Sequence, residues 1–250
     1  MFRSLQVMIR KEWSELRAAF FNWSRWNPAT FPLLLMIAAF SIYEPLRIGS
    51  DWTTSSIMLF SFSLLLPFIA VGSIIPYSFV GERERHTLEP LLATPISNIA
   101  ILLGKIIVPT VYSWGMAILN MGISLLSINL AFGQGRILFY PVNIAIGVIV
   151  MSLLISLFIA IVGVLASLHA ATVMQAQRTL AAILFFPLFI PAFLIGPLSP
   201  SAWKYTASQL LVTMGASKSF IILATILVML IVVTMFVILI RFHREKLLLD

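Results

Sequence analysis

The chain has 250 residues, of which 60% are hydrophobic and only 10% are charged, whereas about 25% of residues are charged in ordinary soluble domains. This composition, with a mean hydropathy of +1.05, excludes a soluble domain and predicts an all-α integral membrane protein. The absence of cysteine excludes disulfides and thiolate metal sites, and the net charge of +7 points to nucleic acid or to anionic lipid.

Residues 1–25 predict an amphipathic helix that lies at the membrane interface. The basic side chains fall mostly on one face, and the apolar ones recur on another at spacings of three and four: Phe2, Leu5, Ile9, Trp13, Leu16 and Phe20. The apolar face is expected at the acyl boundary and the basic face toward headgroups. The stretch lacks the continuous apolar region of a secretory signal peptide. A simple membrane anchor and a brace for a cytoplasmic partner both remain open.

Six stretches are long and apolar enough to cross a bilayer, which takes about 20 residues of helix. They predict six transmembrane helices, at residues 28–46, 56–80, 97–128, 142–168, 179–198 and 218–241. Ser152, Ser156 and Ala160 recur every four residues and predict a face on which another helix packs closely. Gly115 and Gly122, two turns apart, predict a second such face.

Residues 199–214 are too short to cross the membrane before the sixth span begins. Prolines interrupt the chain up to Pro200, and Gly215 follows the apolar stretch 205–214. The pattern predicts a short re-entrant or surface helix on the outer side that ends at Gly215. A plain extracellular loop is the alternative.

The distribution of basic residues orients the chain in a multi-pass topology. With both termini and residues 81–97 in the cytoplasm, twelve lysines and arginines lie inside and four outside, as expected from the positive-inside rule of the cell (plasma) membrane. The loops near 44–56, 129–141 and 198–217 are then external. The positive charge therefore indicates anionic lipid, rather than nucleic acid, as a partner.

The predicted spans carry no groups for catalysis or ion coupling. No acidic residue occurs between Glu89 and Glu245, whereas ion-coupled carriers usually keep ionisable groups inside the membrane. The three histidines form no ligand cluster, and the chain has neither a nucleophile motif nor the phosphate-binding G-x-x-x-x-G-K-[ST]. Catalytic, metal-binding and cofactor-binding residues are therefore not expected on this chain. If the chain takes part in powered transport, another chain must supply the power. Because the predicted spans are almost free of charge, a pathway between them favours an amphiphilic or hydrophobic substrate over a small inorganic ion.

Residues 81–97, GERERHTLEPLLATPIS, concentrate three of the nine acidic residues of the chain beside two arginines. Gly81 is expected to end the second span, and Thr87 to cap a short helix with Pro90 in its first turn. Ser97 is expected to cap the third span. The segment is therefore predicted to be a folded cytoplasmic knuckle, with a solvated loop as the alternative.

GERERHTLEPLLATPISNIAILLGK resembles the signature of the type-2 ABC exporter permeases, the membrane subunits of ATP-binding-cassette exporters. Their pattern is roughly E-R-E-x-G-T-L-E-x-L-L-x-T-P, followed by G-K at the start of the third helix. RKEW (10–13) and MQAQRTLAAILFFPL (174–188) are similar to two further stretches of these permeases. The sequence departs from the pattern at His86, where glycine is common, and at Pro90, where a polar helix former is usual.

The resemblance implies a half-transporter that pairs with a second permease, as a homodimer or with a related chain, and binds separate ATPase subunits. Residues 81–96 would be its coupling helix, and ATP and Mg would be held by the ATPase, with no cofactor on this chain. By position, the residues that couple to the ATPase would be Glu82, Arg83, Glu84, Arg85, Thr87 and Glu89, and the charged ones are all expected to face the cytoplasm. The alternatives are a self-contained secondary transporter and, less favoured, a membrane-embedded enzyme.

Overall fold

The computed structural model describes residues 2–20, 34–35, 37–54, 56–87, 90, 94, 96–195 and 201–241, and their regular structure is entirely helical, with no strand. The α-helices are α1 (Phe2–Phe20), α2 (Glu44–Ile48), α3 (Ser56–Glu84), α4 (Asn98–Phe132), α5 (Val142–Leu168), α6 (Val173–Ile195) and α7 (Ser201–Arg241). A π-helical turn (Ala39–Tyr43) precedes α2, and a 3₁₀ turn (Gly49–Thr53) follows it. Parts of five predicted elements lie outside the described residues: the end of the interfacial helix, the start of the first span, most of the knuckle after Thr87 including Glu89, the end of the fifth span (196–198) and the start of the predicted short helix (199–200).

Four stretches of helix are long and apolar enough to cross a membrane: Leu65–Glu84, Asn98–Phe132, Val142–Leu168 and Ile221–Ile240. They correspond to the second, third, fourth and sixth predicted spans and confirm an all-helical membrane protein. Helix α6 covers most of the predicted fifth span. Of the predicted first span, residues 39–46 form the π-helical turn and the start of α2.

Helix α5 contacts α3, α4, α6 and α7 and forms the centre of the described bundle. Ser152, Ser156 and Ala160 are fully buried on it, and Ser156 Oγ donates a hydrogen bond to Ser113 Oγ of α4 at 3.3 Å. The predicted packing face on α5 is therefore confirmed. The equivalent expectation for Gly115 and Gly122 is wrong within this chain, because no described atom lies within 4 Å of where a Cβ would stand on either glycine.

Two predicted helix ends at glycines are wrong. Helix α3 continues through Gly81 to Glu84, and α7 runs without a break through Gly215, so residues 201–214 are not a separate short helix. A glycine inside a helix costs only about 1 kcal/mol relative to alanine. A glycine is therefore not enough to end a helix unless the backbone also turns left-handed. Helix α3 ends where such a left-handed turn occurs, at His86, whose φ is 55°.

Helix α1 packs against α4 through a buried face that the sequence analysis did not predict. Met8, Glu12 and Leu16, each one turn apart, are buried, whereas Trp13, which was predicted on the face toward the acyl boundary, is 48% exposed. The buried face includes Glu12, a charged residue that finds partners inside the protein. The basic side chains are exposed as predicted: Arg3, Arg10 and Arg17.

Candidate functional site at the charged end of the bundle

Helices α1 and α4 touch at Gly104. A Cβ on this residue would lie 2.5 Å from Cγ and 3.0 Å from Cβ of Met8, so any larger side chain would push the two helices apart. The contact places Glu12, one turn beyond Met8 on α1, beside Lys105, the next residue of α4. The glycine of the G-K pair thus allows the approach that gives the lysine its partner.

Lys105 is fully buried, and its ammonium group joins three helices. Nζ lies 2.9 Å from Glu12 Oε1 of α1 and 2.9 Å from Glu82 Oε2 of α3. It also donates to Oγ of Ser78 at 2.9 Å and to the carbonyl oxygen of the same residue. An ammonium has three N–H donors, so four oxygens saturate it, and Glu82 Oε2 is held by charge attraction without a hydrogen bond of good geometry.

A second ammonium, that of Lys11 on α1, completes the cluster. Its Nζ hydrogen-bonds Glu82 Oε1 and lies 3.0 Å from Glu15 Oε1 and 3.4 Å from Glu12 Oε1. Ser78 Oγ in turn donates to Glu12 Oε2 at 2.8 Å. We call the six residues that take part the charge cluster: Lys11, Glu12, Glu15, Ser78, Glu82 and Lys105.

The electrostatics of the charge cluster favour ionised side chains. Burial raises the pKa of the Glu12 carboxyl, but Lys105 and Lys11 outweigh burial and hold that pKa below its usual value. Burial lowers the pKa of the Lys11 ammonium, but Glu12, Glu82 and Glu15 outweigh it and raise that pKa above its usual value. Glu12 and Lys11 are therefore both charged at neutral pH.

The carboxylates of Glu12, Glu15 and Glu82 lie within 4.8 Å of one another, a spacing that would suit a divalent cation. Two ammonium groups, however, already contact their oxygens: Lys11 reaches all three carboxylates, and Lys105 reaches Glu12 and Glu82. This donor set therefore makes an ion-pair network between helices rather than a metal centre.

The next two residues of α3 bind the connection between α5 and α6. Arg83 Nη1 donates to the carbonyl oxygen of Ala170 at 3.0 Å, and Glu84 Oε1 accepts from the backbone N–H of Val173 at 3.0 Å. Val173 is the first residue of α6, where a carboxylate satisfies a free N–H and complements the helix dipole. Both side chains thus fix the end of α3 against its neighbours.

Beyond Glu84 the chain turns sharply and is exposed. The N–H of Thr87 bonds the carbonyl of Glu82 at 2.9 Å, and the N–H of His86 bonds that of Arg83 at 3.0 Å, which together form a Schellman motif. His86 occupies its left-handed position, which favours glycine, and this explains why glycine is common there in the pattern. Arg85, His86 and Thr87 are all exposed, and we call them the exposed turn.

The expectation that Glu82 faces the cytoplasm is wrong, because the residue is only 7% exposed and its carboxylate belongs to the charge cluster. Arg83 and Glu84 contact the α5–α6 connection. Glu84 and Arg85 are exposed, as is Thr87, and Glu89 lies outside the described residues. The structure brings Glu82 together with Glu12 and Lys105, which the sequence reasoning had not assigned to the site.

A signal for these missed residues was present in the sequence. Lys105 is the single charged residue between Glu89 and Arg136, and a lone charge in an apolar stretch requires a buried partner. The stretches RKEW, GERE and GK, each noted as similar to the exporter permeases, contribute Lys11 and Glu12, Glu82, and Lys105 to one cluster.

Comparison with known proteins identifies the family of the chain. Residues 8–192, which include the charge cluster and the exposed turn, match the family described as "ABC-2 family transporter protein". The "ABC transporter permease protein NatB" of Bacillus subtilis (strain 168) is 26% identical over 162 residues, which are 59% of this chain and 40% of that protein. The match thus spans less than half of the relative's length. The family match covers most of the chain, which therefore belongs to the ABC-2 family of ABC transporter permeases.

Proposed function

We propose that this chain is the transmembrane permease subunit of an ATP-driven ABC exporter, and that the exposed turn docks on a separate ATPase subunit. The observation that carries the proposal is the contrast within six consecutive residues of α3 and the turn. Glu82, Arg83 and Glu84 are held by contacts with α1, α4 and the α5–α6 connection, whereas the three residues of the exposed turn are exposed among the described residues. The contacts of Glu82, Arg83 and Glu84 fix the position of the exposed turn before a partner binds. A preorganised surface of this kind suits docking.

In this proposal ATP and Mg²⁺ bind to the ATPase, and this chain supplies the pathway and the docking surface. Closure of the ATPase pushes on the exposed turn and thereby on α3, which changes the packing of the spans. A second permease copy completes the pathway. The basic residues support a plasma-membrane topology with the exposed turn and both termini in the cytoplasm, where the ATPase is available.

We also propose an amphiphilic or hydrophobic substrate. The charged residues of α3, α4 and α5 are Glu82, Arg83, Glu84 and Lys105, all at the charged end, so the remaining length of these helices offers no counter-charge for an ion. Buried polar groups further along pair with each other, as Ser41 does with Asn120. ATP-driven flux of a lipid-like probe in reconstituted vesicles supports this class, and ATP-driven flux of an inorganic ion alone contradicts it.

Co-isolation tests the docking role with a matched pair of charge reversals. Arg85→Glu alters the exposed turn, and Arg136→Glu alters an exposed arginine between α4 and α5 at the opposite end of the bundle. We expect the wild type and Arg136→Glu to retain a stoichiometric ATPase subunit during purification from native membranes, and Arg85→Glu to lose most of it. Transport by the purified permease alone, driven by an ion gradient, would instead establish a secondary transporter.

A further inference from the structure

We infer that the charge cluster is a mechanical joint that makes α1 move together with α3 and α4, with Lys105 as its positioning residue. This inference rests on the proposed function, since it concerns how motion of the exposed turn is passed on. It extends the coupling device from the knuckle to α1, a helix far away in sequence. It also assigns Glu82 to the joint instead of the ATPase contact.

The first support is that every pair of these helices is bridged. Glu12 and Lys105 link α1 to α4, and Glu82 and Lys105 link α3 to α4. Lys11 and Glu82 link α1 to α3. Three helices connected pairwise form a triangle, which cannot shear at one side without breaking another bond. An apolar contact alone would allow the helices to slide.

The second support is the distance from the exposed turn. Glu82 lies three residues before Arg85, which is about 4.5 Å along a helix axis. A push on the turn therefore reaches the cluster within one helical turn, before it reaches the apolar core formed by Val71, Ile75 and Phe79. Lys105 then receives the displacement through Glu82 and passes it to Glu12.

The third support is that buried ion pairs are poor means of simple stabilisation. Well-packed apolar side chains of similar volume often hold a core as well or better, because burying charges loses their hydration. What charges add is a fixed direction and separation between groups. A cluster placed where three helices meet, beside a close contact that needs a glycine, thus fits control of geometry.

The test separates the joint from the docking surface by changing Lys105 and Glu12 together. Glu12→Gln with Lys105→Met removes one charge of each sign, keeps the side-chain lengths similar and leaves the Lys11–Glu82 pair and the exposed turn intact. In the reconstituted complex with the ATPase, we expect ATP hydrolysis to continue while substrate transported per ATP falls at least tenfold. A permease with a merely structural cluster would lose both activities in proportion to its loss of folded protein.

Tyr140→Phe serves as the control for general loosening. The Tyr140 hydroxyl binds Ser124 and Trp52 at the opposite end of the bundle, so its loss weakens packing there without touching the joint. We expect an unchanged ratio of transport to hydrolysis.

Wild-type coupling in Glu12→Gln/Lys105→Met would overturn the inference while leaving the proposed function standing. Failure of the wild type itself to bind an ATPase or transport with ATP would instead overturn the proposed function.

Discussion

Lys105 illustrates how one buried charge depends on its neighbours. Replacing it alone by methionine leaves Glu12 and Glu82 buried with Lys11 as their shared cation. Breaking a buried pair in this way typically lowers the free energy of unfolding by about 3–5 kcal/mol. We therefore expect Lys105→Met to lower the thermal stability of the purified permease strongly, and Glu12→Gln/Lys105→Met to lower it much less. Equal losses in the two variants, measured by unfolding in detergent, would contradict the ion-pair assignment.

His86 is the other residue whose backbone dictates its chemistry. Its φ of 55° is strained for residues with a Cβ, most of all for β-branched ones. We expect His86→Gly to leave stability unchanged or raise it by up to about 1 kcal/mol, and His86→Val to lower it by about 1–3 kcal/mol. Unfolding of the two variants beside the wild type measures the difference. A His86→Val protein as stable as His86→Gly would rule out the left-handed turn.

At the scale of the element, the contact between α1 and α4 depends on Gly104. An alanine there places its Cβ against Cβ and Cγ of Met8 rather than the flexible end of that side chain, so α1 itself must shift. We expect Gly104→Ala to destabilise the protein by about 1–3 kcal/mol and Met8→Ala to relieve part of that loss when both are present. Additive losses, measured in a double-mutant cycle, would show that the two residues do not touch.

The attachment of α1 should also depend on pH. Because the pKa of Glu12 is lowered on folding, its contribution to stability is complete well above its usual value of 4.5 and disappears as the pH falls through the folded value. Lys11, with a raised pKa, contributes below its usual 10.5 and loses that contribution only as the pH rises through its higher folded value. The contributions of Glu12 and Lys11 are therefore both complete at neutral pH.

Comparison of the wild type with Glu12→Gln measures the acid limb of this dependence. Protonated Glu12 resembles glutamine in charge, so the stability difference between the two proteins should be large at neutral pH and should shrink as the pH falls below the usual pKa of 4.5 toward the lower folded value. Thermal unfolding at a series of pH values provides the measurement. A difference that stays constant into acid would mean that Glu12 does not carry this contribution.

For the whole molecule, the sequence predicted what depends on local pattern and missed what depends on distant partners. The apolar stretches located four spans, Ser97 was correctly expected to cap α4, and the knuckle motif indicated the family. The local sequence around Glu82, however, does not reveal whether its side chain faces solvent or contacts Lys105, which follows 23 residues later. The buried face of α1 was missed for the same reason, since only tertiary contacts make Glu12 an inward-facing residue.

The last prediction concerns the orientation of the whole chain in the membrane. Single introduced cysteines can test it directly, because the chain has no cysteine of its own. His86 and Gln134 are both exposed, at opposite ends of the bundle, so single cysteines at these positions should differ only in the side of the membrane they face. The positive-inside rule places residue 86 in the cytoplasm and residue 134 outside. An impermeant thiol reagent on intact cells should then label Gln134→Cys and not His86→Cys, while permeabilised cells should label both. The reverse pattern on intact cells would invert the topology and, because an ATPase in the cytoplasm could not reach the exposed turn, the proposed coupling with it.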